Sequence, residues 1–176
     1  SLAAGLACGA SPESMAETIA HFKGVEHRLE VVGEIRGITF YNDSKATSVD
    51  ATLKALEALS DNDGKTILIL GGRGKNAPYS PLADLIEKGV RKLIVLGEDA
   101  YNIESQLKQY AEIIRVGSIA EAVTAGFEVA EPGDAVLLAP ACASFDMFKS
   151  FEERGEVFKT EVERLRNSVA VEAASN

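Results

Sequence analysis

The chain is short of positive charge, short of cysteine, and without any long hydrophobic run. Its 176 residues hold 18 Lys and Arg against 27 Asp and Glu, a formal net charge of -9. A general nucleic-acid surface needs a basic face, so nucleic acid is not expected as a partner. Any small anion must be held by a few local Lys and Arg side chains. The 2 cysteines, Cys8 and Cys142, have no metal-ligand spacing and make no disulfide framework, which fits a reducing compartment. No apolar stretch approaches the roughly 18 residues that cross a bilayer. The first residues lack the basic flank and apolar core of a secretory signal, and no membrane partner is expected. Two nucleotide signatures are also missing: the phosphate loop G-x-x-x-x-G-K-[ST] and the dinucleotide fingerprint G-x-G-x-x-G.

What remains is an ordinary globular composition, 46% apolar and 26% charged, long enough for one domain with a short extra piece. The chain opens at Ser1 inside an Ala/Leu-rich helical pattern, as though cut from something longer. That first helix, residues 2–8, ends near Gly9. Ser11-Pro12-Glu13 starts a second, with an N-cap, Pro at the first helical position and an early acid. Met15, Ile19 and Phe22 mark its apolar face to about His21, and Gly24 stops it.

From Leu29 the period changes. Leu29–Ile35 and Ile38–Tyr41 are strands joined across Arg36-Gly37. Alternation follows: helix 48–59, strand 66–70, helix 81–88, strand 92–96, helix 100–109, strand 112–116, helix 118–130, strand 135–139, helix 146–166. TILIL, KLIVL and AVLLA are continuous apolar runs, as expected where helices cover both sheet faces. The pattern predicts an α/β fold: a Rossmann-like, doubly wound, mainly parallel sheet of about six strands with an antiparallel edge strand. Residues 167–176 lack periodicity and are expected to form a flexible tail.

Ligands of such sheets bind at the carboxyl ends of the strands. Tyr41–Ser48 (YNDSKATS), Gly71–Asn76 (GGRGKN) and Ala139–Ser144 each follow a strand and carry Lys, Ser or Thr. In Leu137–Phe148 (LLAPACASFDMF), an apolar run breaks at Pro140 and passes Ser144 into a charged pattern opened by Asp146. This predicts a loop feeding a helix N-terminus suited to a carboxylate or phosphate.

These segments, with FKGVEHRLE (Phe22–Glu30) and the continuation through Phe158, resemble the Mur ligase family, and within it the D-glutamate-adding branch. The resemblance runs through about residues 1–166. It implies an ATP-dependent ligase that adds D-glutamate to UDP-N-acetylmuramoyl-L-alanine in peptidoglycan synthesis, through an acyl phosphate. Residues 1–24 would be the end of the central ATPase domain with its linker, and 25–166 the C-terminal, amino-acid-binding domain. Such a piece should not catalyse alone. The implied D-glutamate contacts are Thr47, Lys75, Ser144, Phe145 and Phe151, and the implied ATP contacts are His27, Arg28 and Asp43. The implied Mg2+ would have its ligands mainly in the central domain. A monomer and a cytoplasmic location are further implications.

Each residue also has a plainer role. Lys75 could be solvated, Thr47 and Ser144 could cap helices, Phe145 and Phe151 could be core, and His27-Arg28 could lie in a solvated linker. Cys142 reads as a small buried residue, and Glu152-Glu153-Arg154 as a solvated helix face. Lys45 sits close enough to Asp43 to pair with it, and Arg73 adds charge beside the proposed glutamate site. Two other functions compete: a non-catalytic Rossmann-type nucleotide module, and a related ligase with another amino acid, such as another muramyl ligase or a folylpolyglutamate synthetase.

Overall fold

A computed structural model describes residues 2–21 and 24–174. Phe22 and Lys23, and with Phe22 one position of the expected apolar face, lie outside the described residues. Helices α1 (Leu2–Ala7) and α2 (Pro12–His21) come first, and the Ser11 hydroxyl accepts from the Ser14 N–H at 3.2 Å, as an N-cap should. The domain proper is built from β1 (Glu30–Ile35), β2 (Ile38–Asn42), α3 (Val49–Leu59), β3 (Thr66–Gly71), a 3-10 turn (Ser80–Leu82), α4 (Ala83–Gly89), β4 (Val90–Leu96), α5 (Ala100–Leu107), β5 (Glu112–Arg115), α6 (Ile119–Val129), β6 (Ala135–Leu138) and α7 (Phe151–Ala174).

The six strands lie in the order β1-β2-β6-β3-β4-β5, with β1 antiparallel to β2 at the edge and the remaining pairs parallel. Strand period 2 splits the apolar runs between two core layers. Leu68, Leu70, Leu93, Val95 and Leu137 face α3, α4 and α5. Ile67, Ile69, Ile94, Val136 and Leu138 face α6 and α7, along with Phe40 and Phe158. These side chains are fully buried, each contributing about 1.5–3 kcal/mol.

The strand order decides where a ligand can sit. The helices that follow β2 and β3 pack on one face, whereas α7, which follows the β6 that lies between them, packs on the other. Neighbouring strands are therefore followed by helices on opposite faces, the arrangement that places a ligand at the carboxyl ends of the strands.

Two expectations need correction. The last helix opens at Phe151, not Asp146. The Ser144 carbonyl accepts from the N–H groups of Met147 (3.1 Å) and Phe148 (2.9 Å), which closes a separate turn. The helix then starts on its own box: Ser150 Oγ accepts from the Glu153 N–H (3.2 Å), and the Glu153 carboxylate accepts from the Lys149 N–H (2.5 Å). At the other end, residues 167–174 continue α7 and are no aperiodic tail. Val169 still packs on the core, and Ser168 Oγ donates to the Leu165 carbonyl at 2.8 Å.

Candidate functional site

The loops after β2, β3 and β6 meet at the carboxyl end of the sheet and are joined there by Arg154. Its guanidinium donates to Ser44 Oγ (3.0 Å), to the Ser44 carbonyl (2.9 Å), and to the carbonyls of Cys142 (3.2 Å) and Gly71 (3.4 Å). Arg154 is thus no part of a solvated face: it is 2% exposed. Burial pulls its pKa down to about 10. The buried side of α7 takes Arg154, Gly155, Phe158 and Val162, so helical spacing from Phe158 was a usable signal for it.

The β3 loop is held at close range. Gly71 and Gly72 have φ of 136° and 128°, and a Cβ on either would strike the Leu96 or Ala143 carbonyl. Arg73 exchanges two backbone bonds with Ala143 (2.9 and 3.0 Å), which ties this loop to the β6 loop. Lys75 then projects outward, its Nζ 3.4 Å from Thr47 Oγ1 of the β2 loop. Thr47 does not cap a helix: Ser48 caps α3, accepting from the Ala51 N–H. Ser144, 2% exposed, lies on the β6 loop and caps no helix either. Phe145 is 63% exposed, so core packing does not account for it. Phe151 is half-buried, with Lys45 Nζ 3.8 Å from its ring centroid, so Lys45 stacks on an aromatic face. Arg73 directs its side chain to a bidentate pair with Glu98 (2.9 Å for both bonds).

On the other side of the β2 loop, Arg28, Asp43, Lys45 and Lys54 line a cleft of about 320 Å³ with Leu29, Ala46, Ala51 and Ala55. Burial pushes the Asp43 carboxyl above its usual range, against the Leu29 N–H and the Arg28 charge. His27 is not among the groups lining that cleft. It is buried (5% exposed), with Nδ1 3.0 Å from Asn42 Nδ2, and a Cβ on Gly155 would strike its ring. Its φ of 60° is in the left-handed region, and its N–H donates to the Glu30 carboxylate at 3.0 Å.

Glu26, His27 and Glu156 offer atoms close enough to share a metal ion. Lys159 already spans this group, its ammonium 2.5 Å from Glu26, 2.8 Å from Glu156 and 3.5 Å from Glu30. Burial opposes the lysine's charge, yet the Glu156 and Glu26 carboxylates hold its pKa well above the ordinary value. The lysine supplies the countercharge that a magnesium ion would, so these residues do not fit that ion.

Cys142 is fully buried, and its thiol lies 3.0 Å from the hydroxyl of Tyr79, which also donates to Asp99 at 2.5 Å. Burial pushes the thiol up to about 11, so it stays protonated where an ordinary thiol ionises. Cys8 is exposed. In the native chain at pH 8 one thiol should therefore react promptly with an aromatic disulfide reagent, and two in denaturant. Two fast thiols in the native state would contradict a sealed Cys142.

Residues 27–142 match the family described as "Mur ligase, glutamate ligase domain". The UDP-N-acetylmuramoylalanine–D-glutamate ligase of Acinetobacter baylyi is 45% identical over 168 residues, 93% of this chain and 38% of that protein. The ligase of the same name from Caldanaerobacter subterraneus subsp. tengcongensis is 48% identical over 162 residues, 90% of this chain and 35% of its own length. The chain thus spans under two fifths of these relatives. Among solved structures, Thermotoga maritima UDP-N-acetylmuramate-alanine ligase MurC has a TM-score of 0.64 at 18% identity, covering 95% of this chain and 36% of that one. E. coli FolC in complex with DHPP and ADP has a TM-score of 0.64 at 20% identity, with coverage of 93% and 38%. Both likenesses concern the fold.

Proposed function

Because this chain belongs to the Mur ligase family, as its glutamate ligase domain, we propose that it is the amino-acid-binding domain of an ATP-dependent ligase joining D-glutamate to UDP-N-acetylmuramoyl-L-alanine. The observation that carries the reading is the meeting of Lys75 and Thr47, from two different strand ends, with Lys75 exposed beside the Arg28/Asp43 cleft's loop.

In this reading the muramoyl substrate's carboxylate is activated by ATP outside this domain. The domain then holds D-glutamate so that its amine reaches the acyl phosphate, a task of positioning. Lys75 and Thr47 take one carboxylate, an ammonium and a hydroxyl being the donors an anion needs. Ser144 serves the other end of the amino acid, and Phe145 and Phe151 wall the pocket. Arg28 and Asp43 face the nucleotide across the cleft, Arg28 toward phosphate and Asp43 toward a hydroxyl. His27 orders the turn that presents Arg28. The magnesium that accompanies ATP would supply charge neutralisation from ligands elsewhere in the full-length enzyme.

The first test is an NMR titration of this chain with D-glutamate, L-glutamate and ATP separately. D-Glutamate should shift Thr47, Lys75 and Ser144 more than the L-isomer does, and ATP should shift Arg28 and Asp43. D- and L-glutamate acting alike, or shifts confined to other surfaces, would contradict the assignment.

A further inference from the structure

Both ends of the loop that carries Lys75 rest on one short turn, Gly97-Glu98-Asp99, between β4 and α5. At the entry, the Gly72 N–H donates to the Leu96 carbonyl (3.1 Å), the Asp99 N–H donates to the Gly72 carbonyl (3.0 Å), and the Arg73 guanidinium grips Glu98 through two bonds. At the exit, Tyr79 donates its phenolic hydrogen to Asp99, and its N–H donates to Gln106 Oε1 at 2.8 Å. Between them Gly74 lies against the Asp99 carboxylate, with no room for a Cβ. The turn itself is fixed from the far side, where the Glu98 N–H donates to Asp146 at 3.0 Å.

We infer that Arg73 and Glu98 form a clamp that positions Lys75 for the amino-acid substrate, and that Arg73 does not itself bind that substrate. This rests on the assignment of Lys75 proposed above. Arg73 and Lys75 are two residues apart, yet their side chains have different partners: Arg73 goes to Glu98 of the β4 turn, and Lys75 to Thr47 of the β2 loop. Glu98 meets the arginine fork with both oxygens, the geometry in which an exposed pair holds a fixed direction. With the fork engaged, the loop leaves Arg73 in one orientation, and Lys75 is delivered to the same spot each time. Without it, the two backbone bonds to Ala143 remain but the side-chain tether is lost. The energy involved is that of a single exposed ion pair, so the effect is on precision and not on folding.

The clamp reading and a direct charge role for Arg73 separate cleanly under charge reversal. The variants Arg73→Glu, Glu98→Arg and the double swap are made in the full-length ligase, with Lys75→Ala alongside. Each single reversal should raise the KM for D-glutamate about 3- to 10-fold with the KM for ATP unmoved, which is the range of one exposed pair plus the repulsion replacing it. The double swap should return KM to within about twofold of the parent, because the pair is rebuilt in the opposite sense. Hydrogen exchange at the 73–76 amides of this chain gives the second readout: faster in each single variant, restored in the swap. A swap that behaves like Arg73→Glu in both readouts overturns the clamp. Restored exchange without restored KM would mean that the arginine's charge at position 73 is itself required, and overturns the inference as well. If Lys75→Ala leaves the KM for D-glutamate unchanged, the assignment beneath it fails, and the exchange data still report whether the pair orders the loop.

Discussion

Lys75→Ala in the full-length ligase raises the KM for D-glutamate by about 10- to 100-fold and leaves the KM for ATP within about twofold. A charge-assisted hydrogen bond to a carboxylate is worth about 1.5–3 kcal/mol, and each 1.4 kcal/mol is a factor of about ten. The selectivity follows from position. Lys75 rises from the β3 loop toward Thr47, whereas the cleft assigned to the nucleotide is lined by Arg28, Asp43, Lys45 and Lys54. Steady-state kinetics with each substrate varied in turn check it. Equal losses for both substrates would remove Lys75 from the glutamate role. Thr47→Val should move the same constant by less, since a neutral hydroxyl contributes about 0.5–1.5 kcal/mol.

The second large effect is on stability. Arg154→Met is expected to cost this domain about 3–5 kcal/mol, a substantial part of the 5–15 kcal/mol that holds a typical domain folded. Two effects oppose each other here. Burial of the guanidinium is itself unfavourable, which is why its pKa falls to about 10. Removing the charge relieves that desolvation penalty and offsets part of the loss. Against it stand the three carbonyls of Ser44, Gly71 and Cys142, which lose this donor together, and Ser44 Oγ, which keeps only its own bond to the Phe151 carbonyl. Each stranded buried acceptor costs about 1–3 kcal/mol, so the loss wins. Lysine should rescue little, because a single ammonium cannot serve acceptors spread across the planar fork. Urea unfolding of this chain, comparing Arg154→Met and Arg154→Lys with the parent, measures this. A change under about 1 kcal/mol for both would show that water replaces the guanidinium readily.

The two predictions touch the same carboxyl end of the sheet in different ways. Lys75 reaches out from it, while Arg154 binds together the loops that create it. Loss of the first should leave a folded domain that handles one substrate poorly. Loss of the second should loosen the β2, β3 and β6 loops at once, and with them both sides of the site.

Local chemistry alone determined much of this molecule. TILIL and AVLLA are buried on both faces because no polar residue interrupts them, and the structure places them in adjacent central strands. Ser11-Pro12 starts a helix because a hydroxyl and a ring with no N–H suit its first turn. The candidate loops were legible for the same reason: each follows a strand and carries the donors an anion needs.

Only the tertiary structure decided the rest. That β6 lies between β2 and β3 depends on contacts across nearly a hundred residues of chain, and no local pattern encodes it. That order brings Thr47 beside Lys75 and puts the Cys142 and Ser44 carbonyls around one arginine. Arg154 looked like a surface charge because it sits among glutamates in sequence, and it is buried because three loop ends happen to need a common donor. The sequence points to His27 as a nucleotide contact or a solvated linker residue, and folding encloses it between Asn42 and Gly155, from β2 and α7. A hydrogen-bond donor's worth is set by the acceptors that folding brings to it, and those lie far away along the chain.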